Sequence, residues 1–270
     1  MTALGMASPQ ADVIARYVTR ARRRRVRRLL VRLAILAIIL GGWEIVGRST
    51  SKLFLVPFSE SLAAAFDAEL IGAWGTSLRA FALGYVLAAV SGVGIGLFMG
   101  RFRLAEWALN PYLTIILAAP MVALIPIFII LFGFSLASRV AIVFSFSFVY
   151  IAVNTLAGTK AVQPELSEMA AAFRLTEWQR FRWIILPGAA PLIMTGLRLG
   201  FGRATIGMLL SEMLLLAVGI GGALIESSNT FDTASVLGIV LMLLAFSWTG
   251  GSIIEALDRR INRWQRRNRS

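Results

Sequence analysis

The 270-residue chain contains no cysteine and no histidine, and charged residues are scarce. Without cysteine there are no disulfides, thiolate metal ligands or cysteine nucleophiles. Without histidine there is no imidazole for acid–base catalysis or for the usual zinc sites. Charged residues make up 15% of the chain, whereas a soluble domain has roughly 25%. These absences exclude most classes of enzyme, and the sequence predicts neither catalytic residues nor a metal site.

Apolar residues are abundant instead: they form 58% of the chain, and its mean hydropathy is +0.77. So little polar surface cannot cover a water-soluble globule, which predicts an all-α membrane protein. A transmembrane helix needs about 20 apolar residues. Six runs meet this requirement, with Pro111, Pro120 and Pro126 interrupting the third. The predicted spans cover residues 29–47, 76–100, 107–133, 139–158, 189–218 and 234–256, and a short amphipathic helix is expected near 58–71.

The net charge of +13 is concentrated at the two ends of the chain. Six spans place both termini on one side, and cytoplasmic flanks of membrane helices are enriched in Lys and Arg. With both termini cytoplasmic, the positive residues on the cytoplasmic side are nine up to Arg32, two at the end of span two, four in 160–182 and six from Arg259 onward. Those that lie outside are Arg48, Lys52, Arg79 and Arg139. The distribution predicts cytoplasmic termini, and no groove-entering element supports nucleic-acid binding.

Glycines recur every fourth residue in two spans, at Gly92, Gly96 and Gly100 and at Gly196 and Gly200. In membrane helices this spacing permits close backbone approach, so we expect tightly packed helix pairs here. No βαβ unit surrounds the glycines, which argues against a dinucleotide site. The short connection 133–138 predicts a helical hairpin between spans three and four. The two lysines of the chain lie outside any phosphate-binding loop, so energy must come from a partner or a gradient.

The polar segment 160–187 predicts two ordered helices outside the bilayer. Pro164 suits a first helical turn, and an apolar stripe follows at i, i+3, i+4 and i+7. The stripe comprises Leu166, Met169, Ala170 and Phe173. Thr176 with Gln179 resembles a capping box, so a second short helix is expected to begin there and to end at Pro187. The stripe requires either the ends of the spans or another protein to cover it.

Glu168-Met169-Ala170, followed by Ile184, Leu186 and Pro187, resembles the E-A-A…G…I-x-L-P loop of binding-protein-dependent ABC importer permeases. The resemblance extends over about residues 76–256 and includes VALIPIFIILFGF at 122–134. Within that family it is most similar to permeases for sulfonate, taurine, nitrate and bicarbonate-type substrates. Two positions depart from the motif, because Met169 replaces its second residue and Arg174 stands where it has glycine.

The resemblance implies the type I ABC importer permease architecture in the bacterial inner membrane, with cytoplasmic termini. It implies a second permease copy in a homodimer, two ATP-binding subunits that hold ATP and Mg, and an extracytoplasmic solute-binding protein. No cofactor is expected in this chain. The expected segments are a basic cytoplasmic region 1–28, a first span with an external segment 29–75, a permease domain 76–256 and a basic tail 257–270. The residues expected to dock on the ATPase are Glu168, Met169, Ala170, Phe173, Arg174, Leu175, Thr176, Trp178 and Phe181.

Polar residues within spans are candidates for a translocation pathway, because the bilayer interior disfavours them. They are Asn154, Arg198, Arg203, Ser211 and Glu212. Arg198 and Arg203 are five residues apart and point about 140° from each other on an ideal helix, which does not favour a single anion clamp. Arg198 could reach the membrane surface instead. Glu212 could line the pathway or pair with an arginine, and an anionic cargo would favour pairing.

Two other functions compete with an importer subunit. A stand-alone secondary transporter or channel would use membrane carboxylates and a gradient, for which Glu212 is the main candidate. An intramembrane enzyme would need a nucleophile–base pair that this composition does not supply. The 164–187 loop distinguishes these classes, because only the importer subunit requires it.

Overall fold

The computed structural model describes residues 9–162, 164–215 and 218–262, and in these ranges every regular element is helical. The chain divides into two compact units, Met1–Ser61 and Leu62–Ser270. The helices are α1 Pro9–Ser49, α2 Phe58–Ala64, α3 Ala68–Arg101, α4 Arg103–Ala118, α5 Ile125–Phe132, α6 Leu136–Lys160, α7 Pro164–Ala172, α8 Glu177–Arg180, α9 Leu186–Leu215, α10 Gly219–Asn229 and α11 Thr233–Ile261. A 3-10 turn, Met121–Leu124, precedes α5, and a π turn, Phe181–Ile185, precedes α9.

In the first unit, the segment after α1 folds back against the end of that helix. The Trp43 indole N–H donates to the Val56 carbonyl at 3.0 Å. Gly47 lies so close to Pro57 that a Cβ would come within 2.6 Å of the Pro57 nitrogen. The portion Leu29–Ser49 is long and apolar enough to cross a membrane, as the sequence predicts for span one.

The amphipathic helix expected near 58–71 is wrong as a single element. Helix α2 ends at Ala64, and α3 begins at Ala68. Asp67 has an extended backbone, and its carboxylate accepts a hydrogen bond from the Glu69 N–H at 2.9 Å. A carboxylate in this position satisfies a free N–H of the first helical turn and favours a helix start. Span two therefore begins eight residues earlier than the predicted residue 76.

Helices α3 and α6 pack closely along the glycine face of α3. A Cβ on Gly92 would lie 3.0 Å from Ile151, on Gly96 2.5 Å from Thr155 and on Gly100 2.0 Å from the Thr159 hydroxyl. Each step of four residues on α3 is matched by a step of four in the same direction on α6, so the two helices run parallel. The predicted close helix packing is confirmed.

The other side of α6 packs against α9 with the opposite direction. Gly158 of α6 lies against Ala189, whereas Gly196 and Gly200 of α9 lie against Ile151. Increasing numbers on α9 meet decreasing numbers on α6, so this pair is antiparallel. Ile151 is fully buried between both glycine faces, and α6 is the central helix of the second unit.

Span three, predicted over 107–133 with interruptions at its prolines, is a bent pair of helices. Helix α4 and the helical segment Met121–Phe132 meet at 99°. Ala119 has an extended backbone because the ring of the following Pro120 disfavours the helical conformation in the residue before it. Gly133, with φ of 64°, and the N-cap Ser135 then turn the chain into α6, which forms the predicted hairpin.

The parallel packing of α3 and α6 indicates that the bent pair crosses the membrane. Two parallel spans begin on the same side of a membrane, so the chain between Arg101 and Leu136 has to cross back. Within the described residues, five single helices are long and apolar enough to span a bilayer, and the bent pair is the sixth candidate. The described helices thus supply six candidate crossings, in agreement with the sequence.

Candidate functional site

The first loop helix, α7, presents apolar side chains to its surroundings. Phe173, just beyond the helix, is 74% exposed, and Leu166 and Met169 are also exposed. We call these three residues the α7 surface. Ala170 is only 2% exposed, because it packs within the chain, and its assignment to the docking residues stays a prediction. Glu168 belongs to α7, but its side chain lies outside the described residues.

The turn after α7 is built on Arg174 in the left-handed conformation, with φ of 50°. The Leu175 N–H donates to the Ala170 carbonyl at 3.0 Å, and the Phe173 N–H donates to the Met169 carbonyl. This pattern ends many helices, usually with glycine at the left-handed position. Arg174 thus keeps the turn that glycine forms in the family motif, at a strain of about 1–2 kcal/mol.

We expect Arg174→Gly to make the turn more stable, because glycine adopts this conformation without the steric strain. Glycine also has greater conformational entropy in the unfolded chain, which offsets part of this effect. The net gain in stability of the turn is about 1 kcal/mol. Hydrogen exchange of residues 165–175 should slow about fivefold. Arg182→Gly is the matched control, because Arg182 lies in a helical segment, where glycine should speed exchange. Unchanged exchange in Arg174→Gly would contradict strain at this position.

The second loop helix begins as predicted but does not end at Pro187. The Thr176 hydroxyl and the Gln179 side chain form a complete capping box at the start of α8. A π turn follows and leads directly into α9, with Pro187 as its second residue. Proline lacks an N–H and crowds the carbonyl of the preceding turn, and the wider π turn accommodates both effects.

Helix α8, the π turn and α9 consequently form one helical segment, Glu177–Leu214, of 38 residues. At 1.5 Å per residue it measures about 57 Å, whereas the hydrocarbon core is about 30 Å thick. It is therefore long enough for its first turns to extend beyond the bilayer. The loop is mechanically continuous with span five.

Helix α8 is fastened to the end of α3. The Arg101 guanidinium lies 2.8 Å from the Glu177 carboxylate. Trp178 and Phe181 stack at 5.9 Å and line a groove shared with α3. These two aromatic residues, assigned to docking by their position in the motif, lie beside the chain's own helix, although Trp178 remains 66% exposed. Leu175 is partly buried, and Thr176 is exposed.

The deep carboxylate of span five is enclosed by four helices. Glu212 is 0% exposed, and its Oε2 accepts hydrogen bonds from the Ser77 hydroxyl at 2.7 Å and the Gly221 N–H at 3.1 Å. The Ile220 N–H donates to the Ser77 hydroxyl at 2.9 Å. Arg139 Nη1 lies 3.6 Å from Glu212 Oε1. We call these residues, with Gly219, the Glu212 cluster.

This arrangement bears on the two roles considered for Glu212. Its pairing with Arg139 of α6 is observed, and Ser211 beside it is equally buried and donates to the Met208 carbonyl at 2.8 Å. Both are buried within the chain, and their place in a translocation pathway stays a prediction. Gly219 is required here, because it has φ of 65° and a Cβ would come within 2.7 Å of Glu212. The sequence does not reveal Ser77 as a partner, since 135 residues separate it from Glu212.

The two arginines of α9 lie on its exposed face. The Arg203 guanidinium is 4.6 Å from the centre of the Tyr150 ring of α6, a cation–π contact. The fifth candidate, Asn154, is partly buried beside Gly196 and donates to the Tyr150 carbonyl at 2.7 Å. Arg198 and Arg203 thus share an exposed face despite their angular separation.

Known proteins resemble this chain over most of its length. The putative aliphatic sulfonates transport permease of Bacillus subtilis (strain 168) is 27% identical over 260 residues, covering 94% of this chain and 93% of that protein. The taurine transport system permease of Escherichia coli (strain K12) is 29% identical, with 88% and 90% covered. The nitrate import permease of Leptolyngbya laminosa is 28% identical, with 66% of each covered.

The fold also has a solved counterpart. The crystal structure of an amino acid ABC transporter matches with a TM-score of 0.58 and 19% identity, covering 71% of this chain and 93% of that one. The profile of the family described as "Binding-protein-dependent transport system inner membrane component" matches residues 92–267. This chain therefore belongs to that family of multi-pass inner-membrane proteins, as the permease subunit of an ABC importer.

Proposed function

We propose that the chain forms one half of a homodimeric permease that imports a small anion, driven by two separate ATPases that hold ATP and Mg. Both termini are cytoplasmic in this proposal, together with the basic segments 1–28 and 257–270 and the loop 160–187. An extracytoplasmic binding protein delivers the cargo. The charge distribution along the sequence supports this orientation.

The observation that carries the docking proposal is the exposed α7 surface. Three apolar side chains on a helix outside the bilayer are costly in water, and an apolar helix face is suited to a groove in a partner. Phe173 projects furthest, with 74% of its surface exposed. We assign Leu166, Met169 and Phe173 to the contact with the ATPase, and Glu168 and Arg174 to its polar edge.

The continuous helical segment supports a mechanism for coupling. ATP binding and hydrolysis move the two ATPases together and apart, and the docked loops move with them. Because Glu177–Leu214 is one helical segment, displacement of the loop is passed directly to span five. The ion pair between Arg101 and Glu177 carries the same displacement to α3. The cavity between the two permease copies then alternates between outward-facing and inward-facing states.

The exposed face of α9 supports both the second copy and the charge of the cargo. Arginine is unfavourable towards lipid hydrocarbon, so Arg198 and Arg203 are better placed facing the second copy and the pathway. Their positive charge suits the anions after which the sulfonate and nitrate relatives are named. Glu212 does not oppose an anion, because it is buried and paired. Asn154 lies near this face as a secondary candidate.

The test is a mild detergent purification of the tagged chain from its native membrane. We expect a P-loop ATPase in equimolar amount, identified by mass spectrometry, and capture of a second, differently tagged copy of the chain. The cognate binding protein can then be screened against small sulfonates and oxyanions. A clean oligomer without an ATPase would refute the docking proposal, and a different permease in equal amount would refute the homodimer.

A further inference from the structure

The groove between α3 and α8 has aromatic walls. It encloses about 470 Å³. Phe98 of α3 and Phe102, the residue after α3, form one wall, with ring centroids 5.0 Å apart, and Trp178 and Phe181 form the other. Leu97 contributes further apolar surface. We call this space the α3–α8 groove.

The groove runs from a polar end into the apolar part of α3. The ion pair between Arg101 and Glu177 lies at the polar end, and Gly94 lies at the other. Seven residues of helix correspond to about 10 Å of depth. A Cβ on Gly94 would meet nothing within 4 Å, so the groove is open there. Where such an opening lies on the lipid-facing side of a spanning helix, it meets hydrocarbon chains.

The sequence around the polar end is rich in arginine. Arg101 lines the groove itself, whereas Arg103, Arg180 and Arg182 are neighbours of Phe102 and Phe181 in the chain, and Arg180 lies 3.7 Å from the Glu177 carboxylate. Glu177 is the acidic residue among those that line it. Basic pockets at the cytoplasmic ends of membrane helices favour anionic headgroups. A single ligand with an apolar chain and an anionic head matches both ends of the groove.

We propose that the α3–α8 groove binds an anionic phospholipid, with one acyl chain between the aromatic walls and the phosphate beside Arg101. The phosphate competes with Glu177 for the guanidinium. The inference rests on the proposed orientation only in assigning the lipid to the cytoplasmic leaflet. Because α8 is joined to α7, a bound lipid holds the docking loop at a defined distance from the end of α3.

Native mass spectrometry of the purified full-length chain tests this site directly. Phosphatidylglycerol and phosphatidylcholine with identical acyl chains are titrated separately, and the bound fraction is measured. We expect phosphatidylglycerol to bind at least about fivefold more tightly, the contribution of one arginine near a headgroup. Soluble glycerol phosphate should not compete, because it lacks the acyl chain.

Two charge variants should shift this preference in opposite directions. Arg101→Gln removes the phosphate contact and should reduce the preference for phosphatidylglycerol to near unity. Glu177→Gln removes the competing carboxylate while the Thr176–Gln179 capping box remains, so it should strengthen phosphatidylglycerol binding. If this ion pair served folding alone, each variant would change the binding affinity of phosphatidylglycerol and phosphatidylcholine by the same factor.

Gly94→Leu fills the groove and should weaken binding of both lipids severalfold. Gly75→Leu is its matched control, because Gly75 also lies in α3 with open space around its Cβ. Equal affinity for the two lipids in the unmodified chain, or unchanged binding in both Gly94→Leu and Arg101→Gln, overturns the proposal. If a second copy of the chain occupies the groove, Gly94→Leu should weaken the dimer. That result would also overturn the lipid proposal. Equimolar ATPase recovery alongside negative lipid results would leave the proposed function intact.

Discussion

Replacing Phe173 by glutamate is expected to abolish ATP-driven transport while the chain still inserts into the membrane. Phe173 is 74% exposed and follows the last residue of α7, so its side chain contributes little to the fold of the chain itself. A buried aromatic anchor in an interface is typically worth about 2 kcal/mol or more. Burying a carboxylate in an apolar groove adds a further cost.

The expected loss is therefore at least roughly thirtyfold in affinity for the ATPase. It is measured as the amount of ATPase recovered with the tagged chain and as cargo uptake into vesicles loaded with ATP. Phe173→Leu keeps an apolar side chain and should retain most of the association. This pair separates the loss of apolar contact from any effect on the turn.

Phe231→Glu provides the matched control. Phe231 is 73% exposed and lies between α10 and α11, on the external side in the proposed orientation. The same substitution at equal exposure should leave ATPase recovery unchanged. Full ATPase recovery in Phe173→Glu would show that the α7 surface does not dock, whereas loss in both variants would indicate a general effect of the added charge.

Breaking the Glu212 cluster should have the largest effect on stability. Glu212→Gln leaves Arg139 as a positive charge whose side chain is 13% exposed. Removing one partner from a buried ion pair costs about 3–5 kcal/mol. We expect a large fall in the thermal midpoint of the detergent-solubilised chain. Helix α10 should also exchange its amide hydrogens faster, because Gly221 and Ile220 bind this cluster.

Removing both charges should recover much of this loss. Arg139 Nη1 and Glu212 Oε1 lie 3.6 Å apart, and neither atom has a hydrogen bond. A pair with such geometry gains little over an apolar substitute. The double variant Arg139→Met with Glu212→Gln is therefore expected to be more stable than Glu212→Gln alone by at least half of the original loss.

An exposed ion pair on α11 is the control for this series. Glu255 and Arg259 lie 3.4 Å apart, with about half of each side chain exposed. Glu255→Gln should change stability by less than about 1 kcal/mol, as is usual for surface pairs. If Glu212→Gln were equally mild, Glu212 would not hold the four helices together.

Features encoded by local patterns could be predicted from the sequence. The spans followed from long apolar runs, and the close packing of α3 and α9 on α6 followed from the spacing of glycines such as Gly96 and Gly200. The start of α8 at Thr176 followed from the capping box. Each of these signals lies within a few residues of the structure that it specifies, and no distant partner has to be known.

Features that depend on distant residues could not be predicted in the same way. The stripe on α7 indicated which residues are apolar, but the burial of Ala170 depends on what packs against the helix. Arg139 looked like an external loop charge, and its contact with Glu212 exists only once four helices have assembled. Pro187 shows a different limit, because its usual effect as a helix breaker is offset by the π turn before it. Asp67 carried a usable local signal, as a helix-capping residue within a run that the periodicity favoured as one helix.

The parallel packing of α3 and α6 has a consequence for synthesis of the protein. Gly100 and its contact Thr159 are separated by 59 positions in the chain, including the whole of the bent pair. At about 5–20 residues per second, the ribosome needs roughly 3–12 s to make that stretch. During this interval the glycine face of α3 is in the membrane without α6, the helix that packs against it. Assembly of the core must therefore wait for the fourth span to leave the insertion machinery.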